Sequence, residues 1–252
     1  MKLKPKQKKR KRNMIDIHNH LLYGIDDGAP DVDVSMKMCI DAVRNGCKII
    51  VCTPHFYKYD KLNEFIEIRN RRIDRLRNIL DAENIPLKLL SGAELFLSDE
   101  IFEAENLDPL TIQGTNYMLC EFPLGPFEVE KAPMWIDELI DRGYRPILAH
   151  PERYVELHRN FNIIDELLRR NVVFQVNIDS LNGKAGTSPQ GMAIDMVNRK
   201  IAKLIASDAH DPEFRHTRIK EKLQQLPGVI TKEMIDFCMI ESPKRILKNE
   251  NI

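Results

Sequence analysis

The chain has 252 residues with 38 basic and 38 acidic side chains, enough for one large α/β domain with a substantial core. No stretch approaches the roughly 18 consecutive apolar residues of a membrane-spanning helix, and Asp16, His18 and His20 interrupt any signal-peptide core behind the N-terminal charges. The zero net charge is unevenly spread: residues 1–12 hold eight Lys or Arg and no acid, and the remainder has 30 basic against 38 acidic residues, a net charge of −8.

That balance argues against a nucleic-acid partner for the body of the chain. Like-charge blocks stay solvated, so residues 1–13 are expected to be a disordered arm with at most a weak membrane-surface contact. Residues 14–252 are expected to form the domain, and Met14 offers an alternative start. Cys39, Cys47, Cys52, Cys120 and Cys238 are odd in number and form no Cys-x-x-Cys pair. They read as buried thiols of a protein in a reducing cytoplasm.

Strand one is expected at 14–18, an apolar run that ends in His18-Asn19-His20 and then Asp26-Asp27-Gly28. Successive strand side chains alternate faces, so His18 and His20 share one side. A helix follows near 31–45, with Val34, Met38, Ala42 and Val43 at helical spacing and Gly46 as its stop. Strand two, 47–52, ends in Thr53-Pro54-His55. A long charged helix is expected over 61–83, with Phe65, Ile68, Leu76 and Leu80 on one side.

Strand three, 87–93, ends in Glu94, and strand four, 117–120, in Glu121. A helix at 132–142 leads to strand five, 145–149, which ends in His150-Pro151-Glu152-Arg153. A helix at 162–170 leads to strand six, 172–177, and another at 189–199 to strand seven, 202–207, which ends in Asp208-Ala209-His210. Helical stretches near 214–225 and 231–248 close the chain.

Strands alternating with helices indicate a parallel sheet. No Gly-x-Gly-x-x-Gly follows strand one, so a dinucleotide fold is disfavoured. A seven-stranded α/β architecture, a closed or nearly closed β/α barrel, fits best, with its chemistry at the C-terminal strand ends. Those ends supply His18, His20, Asp27, His55, Glu94, Glu121, His150, Asp208 and His210. A lone His-x-His or Asp-Asp-Gly would mean little. Gathered on one rim, these groups are costly without cations.

Nine ligands exceed the needs of one ion, so two to three divalent ions are expected, with Glu94 as a bridge. Mixed imidazole and carboxylate ligation suits Mn²⁺, Fe²⁺ or Zn²⁺. Such ions generate a hydroxide nucleophile and clamp the attacking and leaving oxygens of phosphate-ester hydrolysis. Arg153 and Arg215 each follow a candidate ligand, and a guanidinium binds phosphate oxygens through a bidentate fork. No Ser or Cys sits in a nucleophile elbow, so direct attack is favoured over a covalent enzyme intermediate.

The motifs Asp16-Ile17-His18-Asn19-His20, Asp26-Asp27-Gly28, Thr53-Pro54-His55, His150-Pro151-Glu152-Arg153-Tyr154 and Ser207-Asp208-Ala209-His210 resemble the polymerase and histidinol phosphatase (PHP) superfamily over residues 14–245. More narrowly, they are similar to its bacterial protein-tyrosine phosphatases of capsule and exopolysaccharide operons. The resemblance implies a seven-stranded PHP-type, distorted TIM-like barrel and a manganese-dependent centre with three metal positions. It also implies a tyrosine kinase of polysaccharide export as the phosphotyrosine partner.

Carried over by position, one metal takes His18, His20, Glu94 and Asp208, and a second shares Glu94 and adds Glu121 and His150. A third takes Asp27, His55 and His210, and Arg153 and Arg215 bind the phosphate. A small-molecule phosphatase, such as one acting on histidinol phosphate, is the nearest alternative. A nuclease or nucleic-acid-binding module fits less well.

Overall fold

A computed structural model describes residues 13–252; the basic arm expected over 1–13 lies outside the described residues except for Asn13. Nine parallel strands lie in two sheets. One has the order β1 (Met14–Asp16), β2 (Cys47–Cys52), β4 (Lys88–Ser91); the other runs β3 (His55–Phe56), β5 (Glu94–Phe96), β6 (Tyr117–Glu121), β7 (Arg145–Ala149), β8 (Val173–Asn177), β9 (Ala202–Ala206).

The helices between them are α1 (Val32–Arg44), α2 (Leu62–Ala82), α3 (Lys131–Asp141), α4 (Val155–Arg159), α5 (Phe161–Arg169), α6 (Ile178–Leu181) and α7 (Thr187–Asn198). After β9 come α8 (Ile219–Leu223), α9 (Lys232–Asp236) and α10 (Ser242–Leu247), the last two joined by a π-helical turn over 237–241. Among the described residues no helix is long and apolar enough to cross a membrane.

The expected alternation of strands and helices is present, but the seven expected strands appear as nine segments. β2 matches expected strand two and β4 the first part of expected strand three, but each is followed after a break by a further short strand, β3 and β5, and this is what divides the sheet. Pro54 has no N–H to continue the ladder. At Gly92 an added Cβ would lie 2.9 Å from Val51 Cγ1 and 3.3 Å from Thr53 Cγ2, so a side chain there would crowd those at the end of strand two. Hydrogen bonds from Gly92 N to Cys52 O and from Glu94 N to Pro54 O still hold the chains together across the break.

The ladder does not close into a continuous barrel. Between β1 and β9 there is a single isolated bridge, Asn19 to Ala209, flanked by Asp208 N to His18 O at 3.0 Å and His20 N to Ala209 O at 2.9 Å.

Strand periodicity sorts the core. Ile15, Val51, Leu119, Ile147 and Leu204, from both sheets, share one buried cluster inside the strands, while Met118, Cys120, Leu148, Phe174 and Ile205 face the helices. By the same alternation Gln175 and Asn177 follow Val173 onto the inner face, and Glu121 follows Leu119.

Two helices differ from expectation. The buried stripe of α2 is Phe65, Arg69, Ile73, Leu76 and Leu80, with Arg69 in the place expected for Ile68. Arg69 is buried because its guanidinium donates to Gly92 O at 3.0 Å and Pro109 O at 2.7 Å. The helix expected from 214 begins only at α8, because Asp211 accepts from the amides of Glu213, Phe214 and Arg215 and holds a loop there.

Candidate metal centre

The ligand-type residues meet at the C-terminal ends of the strands. The β3–β5 ladder pairs His55 directly with Glu94, and β5–β6 pairs Phe96 with Glu121. Glu94 is fully buried at the middle. Its Oε2 lies 3.0 Å from His18 Nε2, 3.2 Å from His20 Nε2 and 3.2 Å from His55 Nδ1, and its Oε1 lies 2.8 Å from His150 Nε2.

Three overlapping groups have ligand atoms within 4.8 Å of one another: His18, His20, Glu94 and Asp208; His20, Asp27, His55 and His210; and His55, Glu94 and Glu121. The resemblance put His150 in the last set. Here His55 Nδ1 stands 3.0 Å from Glu121 Oε1, while His150 lies 3.7 Å from Glu121 and leans on Glu94. The resemblance also gave His20 to one set; the geometry shares it between two.

A second layer fixes which nitrogen each ring offers. His18 Nδ1 donates to Gln175 Oε1 at 2.7 Å, His20 Nδ1 to Asp26 Oδ2 at 2.8 Å, and His210 Nδ1 to the backbone O of Asp208 at 3.0 Å. In the neutral ring that leaves each Nε2 lone pair facing the centre. The buried His55 Nδ1 and His210 Nε2 have no hydrogen-bond partner although carboxylates stand beside them. Convergent, unpartnered imidazole nitrogens around carboxylates are the donor set of divalent cations, so the residues present fit such ions.

Burial disfavours charge on His18 and His20, yet Glu94, Asp208 and Asp26 outweigh it and raise both pKa values. Burial likewise opposes ionisation of Glu94 and Asp208, and the surrounding rings hold both well below the usual carboxylate range, with Arg215 adding to the effect on Asp208. The Asp27 carboxyl is lowered by the His210 ring, whose Nε2 stands 3.3 Å from its Oδ1. Asp27 is the outermost group of the set, its side chain 65% exposed.

Both arginines reach Asp208. Arg215 donates to its Oδ2 at 2.7 Å and Arg153 at 3.4 Å. Asn177 Nδ2 donates to the same oxygen at 2.6 Å, and Asn177 Oδ1 accepts from Gln175 Nε2 at 2.9 Å. Gln175 and Asn177 thus join His18 to Asp208 through β8, a strand from which no ligand was expected. Their signal in the sequence was a polar i, i+2 pair closing an otherwise apolar strand.

The motif after β7 divides its labour in the same way. His150 faces Glu94, Glu152 accepts from Asn177 N at 2.9 Å, and the Tyr154 hydroxyl accepts from Phe122 N and donates to Ala149 O, both at 3.1 Å. Asp26 was in the quoted motif, but its role was not foreseen: it also accepts from the amides of Gly28 and His55. Gly28 is required there, since an added Cβ would fall 2.0 Å from His20 O.

A cleft of about 260 Å³ opens over the centre, lined by Glu94, Glu121, His55 and both arginines. The five cysteines are free and buried. Burial pushes Cys39 and Cys238 up to about 12 and the other three higher still, so none is a thiolate near neutrality.

The profile of the capsular polysaccharide synthesis CpsB/CapC family matches residues 14–248. Tyrosine-protein phosphatase YwqE of Bacillus subtilis is 31% identical over 244 residues, covering 95% of this chain and 93% of its own length. Tyrosine-protein phosphatase CpsB of Streptococcus agalactiae is 26% identical over 249 residues, covering 95% of this chain and all of its own. A crystal structure from work on B. subtilis YwqE and Streptococcus pneumoniae CpsB, described as unique metal-dependent tyrosine phosphatases, superposes with a TM-score of 0.82 at 30% identity, covering 95% and 96% of the two chains. Dihydropyrimidinase of Brevibacillus agri, at 13% identity and a TM-score of 0.56 over 94% of this chain and 71% of that one, shares the fold alone.

Proposed function

Since this chain belongs to the capsular polysaccharide synthesis CpsB/CapC family, we infer that it is a metal-dependent tyrosine-protein phosphatase. The observation that carries the reading is the centre itself: imidazoles with pinned Nδ1 atoms converge on Glu94 and Asp208, beneath a cleft edged by two arginines.

We assign His18, His20, Asp27, His55, Glu94, Glu121, His150, Asp208 and His210 to two or three divalent ions, Mn²⁺ first and Fe²⁺ or Zn²⁺ next. When bound, such ions acidify water and neutralise phosphate oxygens. The protein's own residues do the rest. Glu94 belongs to two of the ligand groups and would be shared between the ions they hold. Asp26, Gln175 and the Asp208 carbonyl hold the rings in register. Arg153 and Arg215, with side chains 31% and 38% exposed, keep N–H groups free toward the cleft and grip the phosphoryl oxygens.

In the hydrolysis a water oxygen forms a bond to phosphorus as the bond from phosphorus to the tyrosine oxygen breaks, and a proton from water ends on the phenol. That phenol has an ordinary pKa of about 10, so it leaves with modest help. The raised thiol pKa values and deep burial support direct attack over a cysteinyl intermediate. Five free thiols also support a reducing, cytoplasmic setting.

We further propose a tyrosine kinase of polysaccharide export as the cognate protein. The two sheets read as one barrel of seven passes, supported by the shared inner cluster and by the Asn19–Ala209 bridge across the open edge.

The test is a chelated sample reloaded with one metal at a time and assayed on a phosphotyrosine peptide and on histidinol phosphate. Chelation should abolish turnover, Mn²⁺ should restore it, and the peptide should be preferred. Full activity after chelation, or preference for histidinol phosphate, would overturn the assignment.

A further inference from the structure

We propose that Tyr57, Phe96 and Leu124 form an apolar wall that recognises the aromatic ring of the substrate, so that the site binds aryl phosphates in preference to alkyl phosphates. This rests on the phosphatase reading above and adds to it the groups that read the leaving side of the ester.

The wall follows from strand geometry. Tyr57 lies two residues after His55, and Phe96 two residues after Glu94, the spacing that returns a strand side chain to the same face. Leu124 lies three residues after Glu121. Each wall residue is therefore placed by the stretch that has just delivered a candidate ligand, Phe96 at the end of β5 and Tyr57 and Leu124 just past the ends of the neighbouring β3 and β6. The arginines come from the loops after β7 and β9 and line the same cleft. One side of the cleft is thus cationic and the other apolar, with the metal centre between them.

Two of the three wall side chains are exposed, Tyr57 at 50% and Leu124 at 46%, while Phe96 is half-buried. Tyr57 stacks on His55 with ring centroids 5.1 Å apart and planes 25° from parallel, and its ring centroid lies 5.5 Å from that of Phe96. A single exposed apolar side chain on a protein surface calls for no explanation. Two beside a half-buried Phe96, all three lining one polar cleft, present a hydrated apolar surface that a substrate ring would cover, with offset or tilted packing against Tyr57 and Phe96. A phosphate carried on a short alkyl group would leave that surface wet.

The experiment compares phenylphosphonate with methylphosphonate, which share the phosphoryl end and have no leaving group. Binding is measured by calorimetry on the Mn²⁺-loaded protein, beside turnover of a phosphotyrosine peptide. The wild-type protein should bind phenylphosphonate more tightly. Tyr57→Ala and, separately, Leu124→Ala should narrow the ratio of the two affinities, Tyr57→Ala by about tenfold, with methylphosphonate affinity and metal content unchanged. Tyr57→Phe keeps the ring and should keep the ratio.

An unchanged ratio in both alanine variants would overturn the wall, as would equal weakening of both phosphonates, which would show that Tyr57 merely props His55. Loss of the ratio in Tyr57→Phe would move recognition from the ring to the hydroxyl and overturn it too. If the loaded wild-type protein failed to turn over the peptide, the phosphatase reading itself would fall. Turnover with an unaltered ratio in the variants removes the wall alone.

Discussion

Gln175 offers a test of whether the second layer tunes the metal centre or only fills space. It is fully buried, accepts from His18 Nδ1 at 2.7 Å and donates to Asn177 Oδ1 at 2.9 Å. Gln175→Leu keeps the volume and removes both contacts, stranding a ring N–H and an amide oxygen away from water. Each stranded group costs about 1–3 kcal/mol, so at 2–4 °C per kcal/mol in a domain of this size the melting temperature should fall by at least about 4 °C. Freed from its anchor, His18 can also rotate or change tautomer, and losses of this kind lower metal affinity by about 10- to 100-fold. Gln175→Glu retains an oxygen acceptor for His18 but loses the donor to Asn177. It should therefore recover most of the metal affinity while remaining less stable. The assay is Mn²⁺ titration by calorimetry, with circular dichroism melts of metal-free and loaded protein. Wild-type affinity in a folded Gln175→Leu protein would refute the reasoning, and so would Gln175→Glu binding as weakly as the leucine variant.

Glu94→Gln should bind at least one ion fewer by elemental analysis and lose more than about 100-fold in turnover, some 2.7 kcal/mol of barrier; retention of over a tenth of activity would exclude bridging. Arg153→Ala and Arg215→Ala should lower kcat by about 10²-fold or more, with Lys rescuing only in part because the bidentate fork is lost; unchanged kinetics with a lower melting temperature would make them structural ion pairs. Alkylation of the native protein should leave turnover intact where chelation removes it, and selective loss in Cys52→Ser would reverse that conclusion. Burial first, then Lys222 and Arg218, lowers His216 to about 4. Its neutral form therefore contributes stability that is complete above the unfolded value near 6.5 and is lost as pH falls through about 4, a loss that melts of His216→Gln should show to be smaller.

The candidate ligands were legible because the parallel strands are short apolar runs and a polar residue at the end of such a run stands out. His18, His20, His55, Glu94, Glu121, His150, Asp208 and His210 are all of this kind. Asp26 and Asp27 were visible as a pair, but spacing does not say which one turns inward; the structure buries Asp26 against His20 and leaves Asp27 largely exposed. Gln175 and Asn177 carry no metal-ligand signature, and their roles exist only because β8 lies beside β9, which brings Asp208, and close enough to β1 for Gln175 to reach His18. Arg69 sits in a charged helix where Ile68 is the better apolar candidate, and only the carbonyls of Gly92 and Pro109 make its burial favourable. Gly92 was a single residue inside an expected strand and Pro54 lay just past the end of another, and their effect on the sheet depends on neighbours distant in sequence.

Backbone strain ties these observations together. Six non-glycine residues among those described have positive φ. Asn84, Asn171, Lys200 and Asn249 each lie just beyond a helix, where a left-handed residue commonly ends it. The other two are His150, at φ 36°, and Asp208, at φ 47°, directly after β7 and β9. The left-handed region costs an L-residue about 1–2 kcal/mol, so both positions need compensation. For His150 it is the 2.8 Å contact with Glu94 and the hydrogen bond from Arg153 N to its carbonyl. For Asp208 it is three donors on Oδ2, together with its own amide on His18 O. In this conformation His150 meets Glu94 at 2.8 Å and Asp208 meets His18 Nε2 at 3.4 Å. The strain is thus located where a strand end has to become a ligand, and a glycine, which would relieve it, has no side chain to deliver.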